Sequence, residues 1–131
     1  MELRFSWDMF NGKYYPGCES VGRTDPYDYL GCLLTDDGGL GLDHHIPWLQ
    51  QGRKLCGNVL EGKSERECFT TECFEADISA DGVWIYGNRS EPTSGIKVSL
   101  AGLTHVLDEW IEFLENGVKR DGVHVVIHAE I

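Results

Sequence analysis

The sequence predicts an α+β protein in which a mainly antiparallel β-sheet carries one long C-terminal helix packed on a face. Three patterns lead to this fold class. Apolar and polar residues alternate over residues 2–9, as they do in a half-buried strand. Residues 75–87 alternate on both sides of an Asp-Gly dipeptide, which tight hairpin turns favour. Leucines and a tryptophan recur at helical spacing over residues 100–114.

The N-terminal half is predicted to contain three strands separated by irregular chain. Residues 2–9 form the first strand, residues 27–34 the second and residues 55–60 a short third. Glycines and prolines after the first strand predict turns. Residues 40–53 are expected to be irregular because Pro47 interrupts any regular element.

Residues 67–79 and 83–87 are predicted to pair as a β-hairpin, with the dipeptide Asp81-Gly82 at the centre of its turn. This turn places Asp77 opposite Tyr86. One face of the hairpin is small and apolar, and the other combines two carboxylates with two aromatic rings, at Glu75, Asp77, Trp84 and Tyr86. Interfaces favour Trp and Tyr as anchors, so the second face is a candidate surface for a protein partner.

An alternative interpretation of the same hairpin leaves its rings inside the protein. In that arrangement the segment of residues 40–55, with Ile46 and Trp48, covers Trp84 and Tyr86 in a second layer. The sequence alone leaves both arrangements open.

The C-terminal helix is predicted to begin after Ser99, a residue type that caps helix N-termini, and to end at Gly117 in the left-handed conformation. Val118 is expected to fold back on Phe113. After a turn at residues 121–122 a final strand is predicted. Its apolar side chains share one face, at Val123, Val125, Ile127, Ala129 and Ile131. Together these elements predict a single globular domain over residues 1–131.

The formal net charge of −11 restricts the classes of partner. Such a surface repels nucleic acid and anionic membranes and attracts basic proteins. No apolar run is long enough to span a membrane, and the first residues lack the pattern of a signal peptide, so a cytoplasmic protein is predicted. Five cysteines without a secretion signal are expected to be free thiols.

Motifs for catalysis are missing from the sequence. No nucleophile motif surrounds any serine or cysteine, and no phosphate-binding or calcium-binding loop has the required spacing. The densest group of metal-ligating residues is Asp43-His44-His45. The sequence therefore predicts no catalytic residue, no metal and no cofactor, and it leaves a small metal-dependent hydrolase built on these three residues as an alternative.

Two groups of residues remain as candidates for binding a basic partner. The loop TDDGGLGLD, residues 35–43, supplies three aspartates in addition to the acidic residues of the hairpin. The first group is Glu72, Glu75, Asp77, Trp84 and Tyr86, and the second is Asp36, Asp37 and Asp43. Carboxylates around aromatic anchors pair with Arg or Lys on a partner and speed its association.

The stretch DISADGVWIYGN, followed by IKVSLAGLTHVLDEWIEFLENG, resembles bacterial toxin-immunity proteins, particularly those encoded beside contact-dependent growth inhibition toxins. The resemblance covers about residues 74–118. It implies a cytoplasmic, non-enzymatic inhibitor that binds one cognate toxin domain, often a basic nuclease, and blocks or occludes its active site. No functional residue is transferred by motif.

The leading hypothesis is therefore an immunity protein whose carboxylates mimic the negative charge of a nucleic-acid substrate. Two alternatives belong to other classes. One is the metal-dependent hydrolase, and the other is an adaptor that binds a basic protein which is not a toxin.

Overall fold

A computed structural model of the chain describes residues 1–89, 94–117 and 124–131. The fold class is α+β, as predicted, with two antiparallel sheets and three helices in the described part. The elements in chain order are β1 (Glu2–Phe10), β2 (Lys13–Val21), α1 (Tyr29–Thr35), α2 (Leu42–Leu60), β3 (Arg66–Thr70), β4 (Phe74–Ser79), β5 (Gly82–Gly87), β6 (Gly95–Val98), α3 (Leu100–Asn116) and β7 (His124–His128). Among the described residues, no helix is long and apolar enough to cross a membrane.

The first sheet has the strand order β2-β1-β7. β1 and β2 form a hairpin whose turn contains Asn11 and Gly12, both with positive φ. Only glycine and a few short polar residues such as asparagine adopt this backbone readily. β2 was not predicted because Pro16 lies within it, and β2 is an outer strand of this sheet, where a residue without an N–H is tolerated.

The second sheet has the order β3-β4-β5-β6 and contains the predicted hairpin as β4 and β5. Its turn differs from the prediction, because Ser79 pairs with Gly82 and Asp77 pairs with Trp84. Ala80 and Asp81 are therefore the two residues between the strands. The observed pairing moves every partner by two positions, and side chains alternate with a period of two, so each residue keeps its predicted face.

Two predicted strands are wrong, because both segments are helical. Residues 27–34 contain most of α1, which begins after Asp28, whose side chain accepts a hydrogen bond from Gly31 N at 3.0 Å. Residues 55–60 are the last turns of α2. The prediction that residues 40–53 are irregular is also wrong, since α2 continues through Pro47.

Pro47 lies near the start of α2, where the absence of its N–H costs the helix one backbone hydrogen bond. Burial along the rest of the helix compensates for that loss. The buried positions follow a spacing of three and four residues, at His45, Leu49, Gly52, Cys56 and Val59. This is the spacing of a helix with one face on the core.

α3 matches its prediction at both ends. The Ser99 hydroxyl accepts a hydrogen bond from Gly102 N at 2.9 Å, and Gly117 has φ 60° and ψ 33° in the left-handed region. The prediction of a single long helix is matched only in part, because α2 has 19 residues and α3 has 17. The expected contact of Val118 lies outside the described residues.

The last strand, β7, pairs with β1 and places Ile127 opposite Leu3. Ile127 and Ala129, from the predicted apolar face, are buried, whereas Val125 is 39% exposed. The turn at residues 121–122 and Val123 lie outside the described residues.

The core joins both sheets and the three helices in one apolar cluster. Aromatic rings form part of it, with Phe5 and Trp110 at 4.9 Å between ring centroids and Trp7 and Phe113 at 5.4 Å. The helices contact the second sheet through the face that carries its buried residues. We call this side the inner face and the opposite side the outer face.

Candidate functional site

The outer face of the second sheet collects the polar side chains of four strands. Directly opposed residues share a face, so the register defines its members. They are Arg66, Cys68 and Thr70 on β3, Glu75, Asp77 and Ser79 on β4, Trp84 and Tyr86 on β5, and Lys97 on β6. All of these side chains are exposed or half-buried. Four of the five residues in the first predicted group, Glu75, Asp77, Trp84 and Tyr86, therefore lie together on this face.

Glu75 and Tyr86 are cross-strand partners on the outer face. The Tyr86 hydroxyl donates a hydrogen bond to Glu75 Oε2 at 2.5 Å. This bond raises the pKa of Tyr86 above its ordinary value, because ionising the phenol would remove the donor and place two negative charges together. The Glu75 carboxylate is thus held in position by the neutral phenol.

Asp77 occupies the centre of a row that runs across the sheet. Its cross-strand partners are Cys68 on β3 and Trp84 on β5, and Trp84 is followed by Lys97 on β6. Burial, and then the nearby charges of Asp77 and Glu75, raise the pKa of the Cys68 thiol. Cys68 is therefore a neutral thiol at neutral pH, placed beside the Asp77 carboxylate.

Within the described ranges, one group of three residues has the spacing of metal ligands. The ligand atoms of Cys68, Glu75 and Asp77 all lie within 4.8 Å of one another. A metal ion would bind the thiolate, and the raised pKa of Cys68 disfavours that form. The chemistry available to the group as it stands is hydrogen bonding and attraction of cations.

A groove of about 630 Å³ opens on the outer face beside the turn between β4 and β5. Its wall includes the Trp84 ring, three acidic residues and two basic residues. The residues that line it are Glu65, Arg66, Asp77, Ser79, Ala80, Asp81, Gly82, Trp84 and Lys97.

Glu72, the fifth residue of the first group, lies in the turn between β3 and β4 and is exposed. A β-carbon on Gly38 would lie 3.7 Å from Glu72 Cβ and 3.5 Å from the Trp48 ring. Glu72 is therefore a neighbour of the loop that contains the second acidic group.

Two of the three aspartates in the second group brace that loop. The Asp36 carboxylate accepts hydrogen bonds from the Thr71 hydroxyl at 2.8 Å and from Cys73 N at 2.7 Å. Asp37 accepts from the backbone N–H groups of residues 39 and 41. Asp43 is exposed in the first turn of α2, where the helix dipole favours a negative charge by about 0.3–1 kcal/mol.

The adjacent histidines point in different directions. His45 is buried, with its Nε2 2.7 Å from the Leu34 carbonyl oxygen. His44 is exposed, and its ring lies edge-on to Trp48 at 4.4 Å between centroids. Of the residues that the structure describes, Asp43, His44 and His45 do not form a metal-binding group.

The segment of residues 40–55 does not cover the outer face, so the alternative interpretation of the hairpin is wrong. α2 packs on the inner face, where a β-carbon on Gly52 would lie 2.9 Å from the Phe69 ring. Phe69 pairs with Ala76 on the buried side of the sheet. Trp84 and Tyr86 are half-buried on the outer face.

Sequence reasoning missed Cys68 and Lys97, which extend the central row on both sides of the hairpin. The alternation of the stretch RECFT, residues 66–70, was the available signal for Cys68. No protein-family model, curated protein or solved structure was found to match the chain.

Proposed function

We propose that this protein is a non-enzymatic immunity protein that neutralises a cognate toxin domain, most simply a basic nuclease, in the cytoplasm. One observation carries the proposal: two carboxylates and two aromatic rings lie in neighbouring register positions on the outer face, where they are exposed or half-buried. This combination supplies large apolar contact area together with negative charge, which suits a positively charged protein surface.

The charge of the whole chain supports the same kind of partner. A net charge of −11 attracts a basic protein over long range and accelerates its encounter. Charge pairs that lose their water at the centre of an interface matter more for affinity, because truncating one member costs about 2–5 kcal/mol. Glu75 and Asp77 are half-buried before any partner binds, which favours them as central charges over the fully exposed acids.

The outer face is also organised in advance of binding. The Tyr86 hydroxyl holds Glu75, and Trp84 stands between the side-chain positions of Asp77 and Lys97. Side chains that are already ordered lose less conformational entropy on association. A nuclease active site that binds phosphates presents the cations that such a face would receive.

Reversing the charge of Glu75 and Asp77 tests the surface. The variant Glu75→Lys/Asp77→Lys is expected to raise the Kd for the toxin domain at least about 100-fold, which corresponds to about 2.7 kcal/mol. The domain to be tested as the toxin is the C-terminal domain of the protein encoded by the adjacent upstream gene. Isothermal titration calorimetry measures the Kd, and protection of growth during co-expression of that domain measures neutralisation.

A matched control carries the same change in net charge at other sites. Glu61 caps the C-terminal end of α2 and Glu112 lies on α3; both are exposed, and neither belongs to the outer face of the second sheet. The variant Glu61→Lys/Glu112→Lys is expected to bind and protect like the wild type. Equal losses in the two double variants would show that only total charge matters and would reject the outer face as the binding surface.

The gene neighbourhood separates immunity from an adaptor function. An upstream gene for a large secreted protein whose C-terminal domain stops growth supports the proposal. If the upstream gene encodes no such protein, the immunity function is rejected and the outer face becomes the docking site of a basic protein of another kind.

A further inference from the structure

We infer that the groove on the outer face receives an arginine side chain of the partner, with the guanidinium between the Trp84 ring and the Asp77 carboxylate. This inference rests on the proposed function, because it identifies the chemical group that the same surface would recognise. The groove lies at the Asp77–Trp84 row beside the turn between β4 and β5.

The row brings together the two groups that bind a guanidinium best. Asp77 and Trp84 are direct cross-strand partners, and their side chains stand on the same face. A guanidinium stacks on an aromatic ring by a cation–π contact while its N–H groups donate to a carboxylate. In this sheet one planar group can make both contacts, because a ring and a carboxylate are adjacent.

The charges around the groove are unequal. Glu65, Asp77 and Asp81 contribute three carboxylates, whereas Arg66 and Lys97 contribute two cations. Within the described part of the chain, none of these five residues forms an ion pair with another. The carboxylates are therefore not neutralised internally.

Lys97 lies on one side of the groove, and the partner's side chain would bind on the other side. A β-carbon on Gly82 would lie 2.7 Å from Lys97 Cε, so the lysine chain extends over the turn end of β5. Asp77 lies on the opposite side of Trp84, towards β3. The side towards β4 therefore carries the Asp77 carboxylate, and Arg66 lies beyond it on β3.

Arginine fits this position better than lysine. The guanidinium is planar and weakly hydrated, and it forms several hydrogen bonds in a fixed geometry, whereas an ammonium group is compact and strongly hydrated. A slot between a flat ring and a carboxylate therefore discriminates between two side chains of equal charge. This predicts a preference that total charge alone would not produce.

Two peptides of equal charge test the inference on the purified full-length protein. The blocked peptides Ac-Arg-Arg-Arg-NH2 and Ac-Lys-Lys-Lys-NH2 are titrated in the same buffer, and the indole N–H signal of Trp84 is followed by NMR. The arginine peptide is expected to shift this signal to saturation with a Kd at least about fivefold lower than that of the lysine peptide. Equal Kd values for the two peptides would overturn the inference.

Variants locate the site. Trp84→Leu lacks the indole signal of Trp84, so the Kd values of the variants are measured by isothermal titration calorimetry. Asp77→Asn is expected to raise the Kd of the arginine peptide at least about fivefold, and Trp84→Leu to abolish the preference for arginine. Glu112→Gln removes an exposed acid on α3 and is expected to leave both Kd values within about twofold. Unchanged binding in Asp77→Asn would contradict the inference even if the Trp84 variant failed to fold.

These experiments distinguish failure of the arginine site from failure of the proposed immunity function. If the peptides do not discriminate but the Glu75→Lys/Asp77→Lys variant loses protection, the immunity function stands and the arginine site is rejected. If the arginine preference is observed and Asp77→Asn protects fully against the toxin, the groove binds arginine but does not contribute to neutralisation, which rejects the inference about the toxin.

Discussion

The carbonyl oxygen of Leu34 accepts hydrogen bonds from two buried rings. The donors are His45 Nε2 at 2.7 Å and Trp110 Nε1 at 2.8 Å. A carbonyl oxygen only accepts, so Nε2 of His45 carries a hydrogen and Nδ1 is the unprotonated nitrogen. Within the described residues Nδ1 has no hydrogen-bond partner. Because burial disfavours the charged ring, the pKa of His45 is lower than its ordinary value.

This lowered pKa predicts a loss of stability in mild acid. The folded state holds His45 neutral and the unfolded state takes up the proton first, so protons favour unfolding. The free energy of unfolding should therefore be fully retained above about pH 6.5, the ordinary histidine pKa, and fall as the pH decreases, by at most about 1.4 kcal/mol per pH unit. Urea denaturation at pH 7.5, 6.0 and 5.0 measures the slope.

The neighbouring histidine provides the control. His45→Gln keeps an N–H group for the Leu34 carbonyl but has no proton to gain, so its pH dependence should be weaker than that of the wild type. His44→Gln changes an exposed ring and should keep the wild-type slope. If the free energy of unfolding of His45→Gln still fell steeply in acid, groups other than His45 would be responsible for the loss.

At the scale of elements, α2 lies close to the second sheet at a glycine. A β-carbon on Gly52 would meet three ring carbons of Phe69 at 2.9–3.0 Å, whereas one on Gly57 would approach only the end of the Arg53 side chain, at 3.3 Å. Both glycines are within the helix, where alanine is intrinsically more favourable by about 0.5–1 kcal/mol. A difference in stability between alanine variants at the two positions therefore reports the contact of α2 with the second sheet.

Gly52→Ala is expected to reduce the free energy of unfolding by about 1–3 kcal/mol, because the added methyl group overpacks the contact with Phe69. Gly57→Ala should leave stability unchanged or increase it, since a flexible arginine can move away. Thermal or urea denaturation of both variants measures the effect. A stabilised Gly52→Ala protein would show that α2 does not approach β3 as described.

Elements with continuous patterns could be predicted from the sequence, and elements stabilised by distant contacts could not. α3 has leucine or tryptophan at most of its buried positions, together with a clear start and end. The apolar stripe of α2 includes His45, which is polar, and Gly52, which has no side chain, so neither residue marks this helix face as apolar. A local pattern cannot show that Phe69 fills the space above a glycine.

The candidate surface also contains residues that could be grouped from the sequence and contacts that could not. Glu75, Asp77, Trp84 and Tyr86 could be grouped because alternation within one hairpin fixes the faces even when the turn is misplaced. Glu72 belongs to the same predicted group, but it lies in the turn before β4 and not on the outer face. The hydrogen bonds that occupy Asp36 come from residues 71 and 73, a separation that local reasoning does not reach.

At the scale of the whole molecule, both sheets contribute to a single apolar cluster. Leu3 and Phe5 of the first sheet and Ile78 and Ile85 of the second belong to it, together with buried residues of all three helices. The single-domain prediction therefore has a direct physical consequence. If one sheet unfolded, apolar residues of the other would become exposed to water. We therefore expect the two sheets to unfold together.

Amide hydrogen exchange tests this cooperativity. Ile85→Val removes one buried methylene from the second sheet and should cost about 0.5–1.5 kcal/mol. The slowest amides of β1 should lose as much protection as those of β5. Val126→Ala changes a residue that is 47% exposed and should alter neither strand appreciably. Loss of protection in β5 alone would show that the sheets are separate units.

The hydrogen bond between Tyr86 and Glu75 has a consequence for the kinetics of any complex. A phenol and a carboxylate are not an ion pair, so added salt does not weaken their arrangement as it weakens attraction between distant charges. Raising the ionic strength should therefore slow association with a basic protein much more than it shortens the residence time of the complex. The surface would capture its partner less often in concentrated salt, yet release it at nearly the same rate.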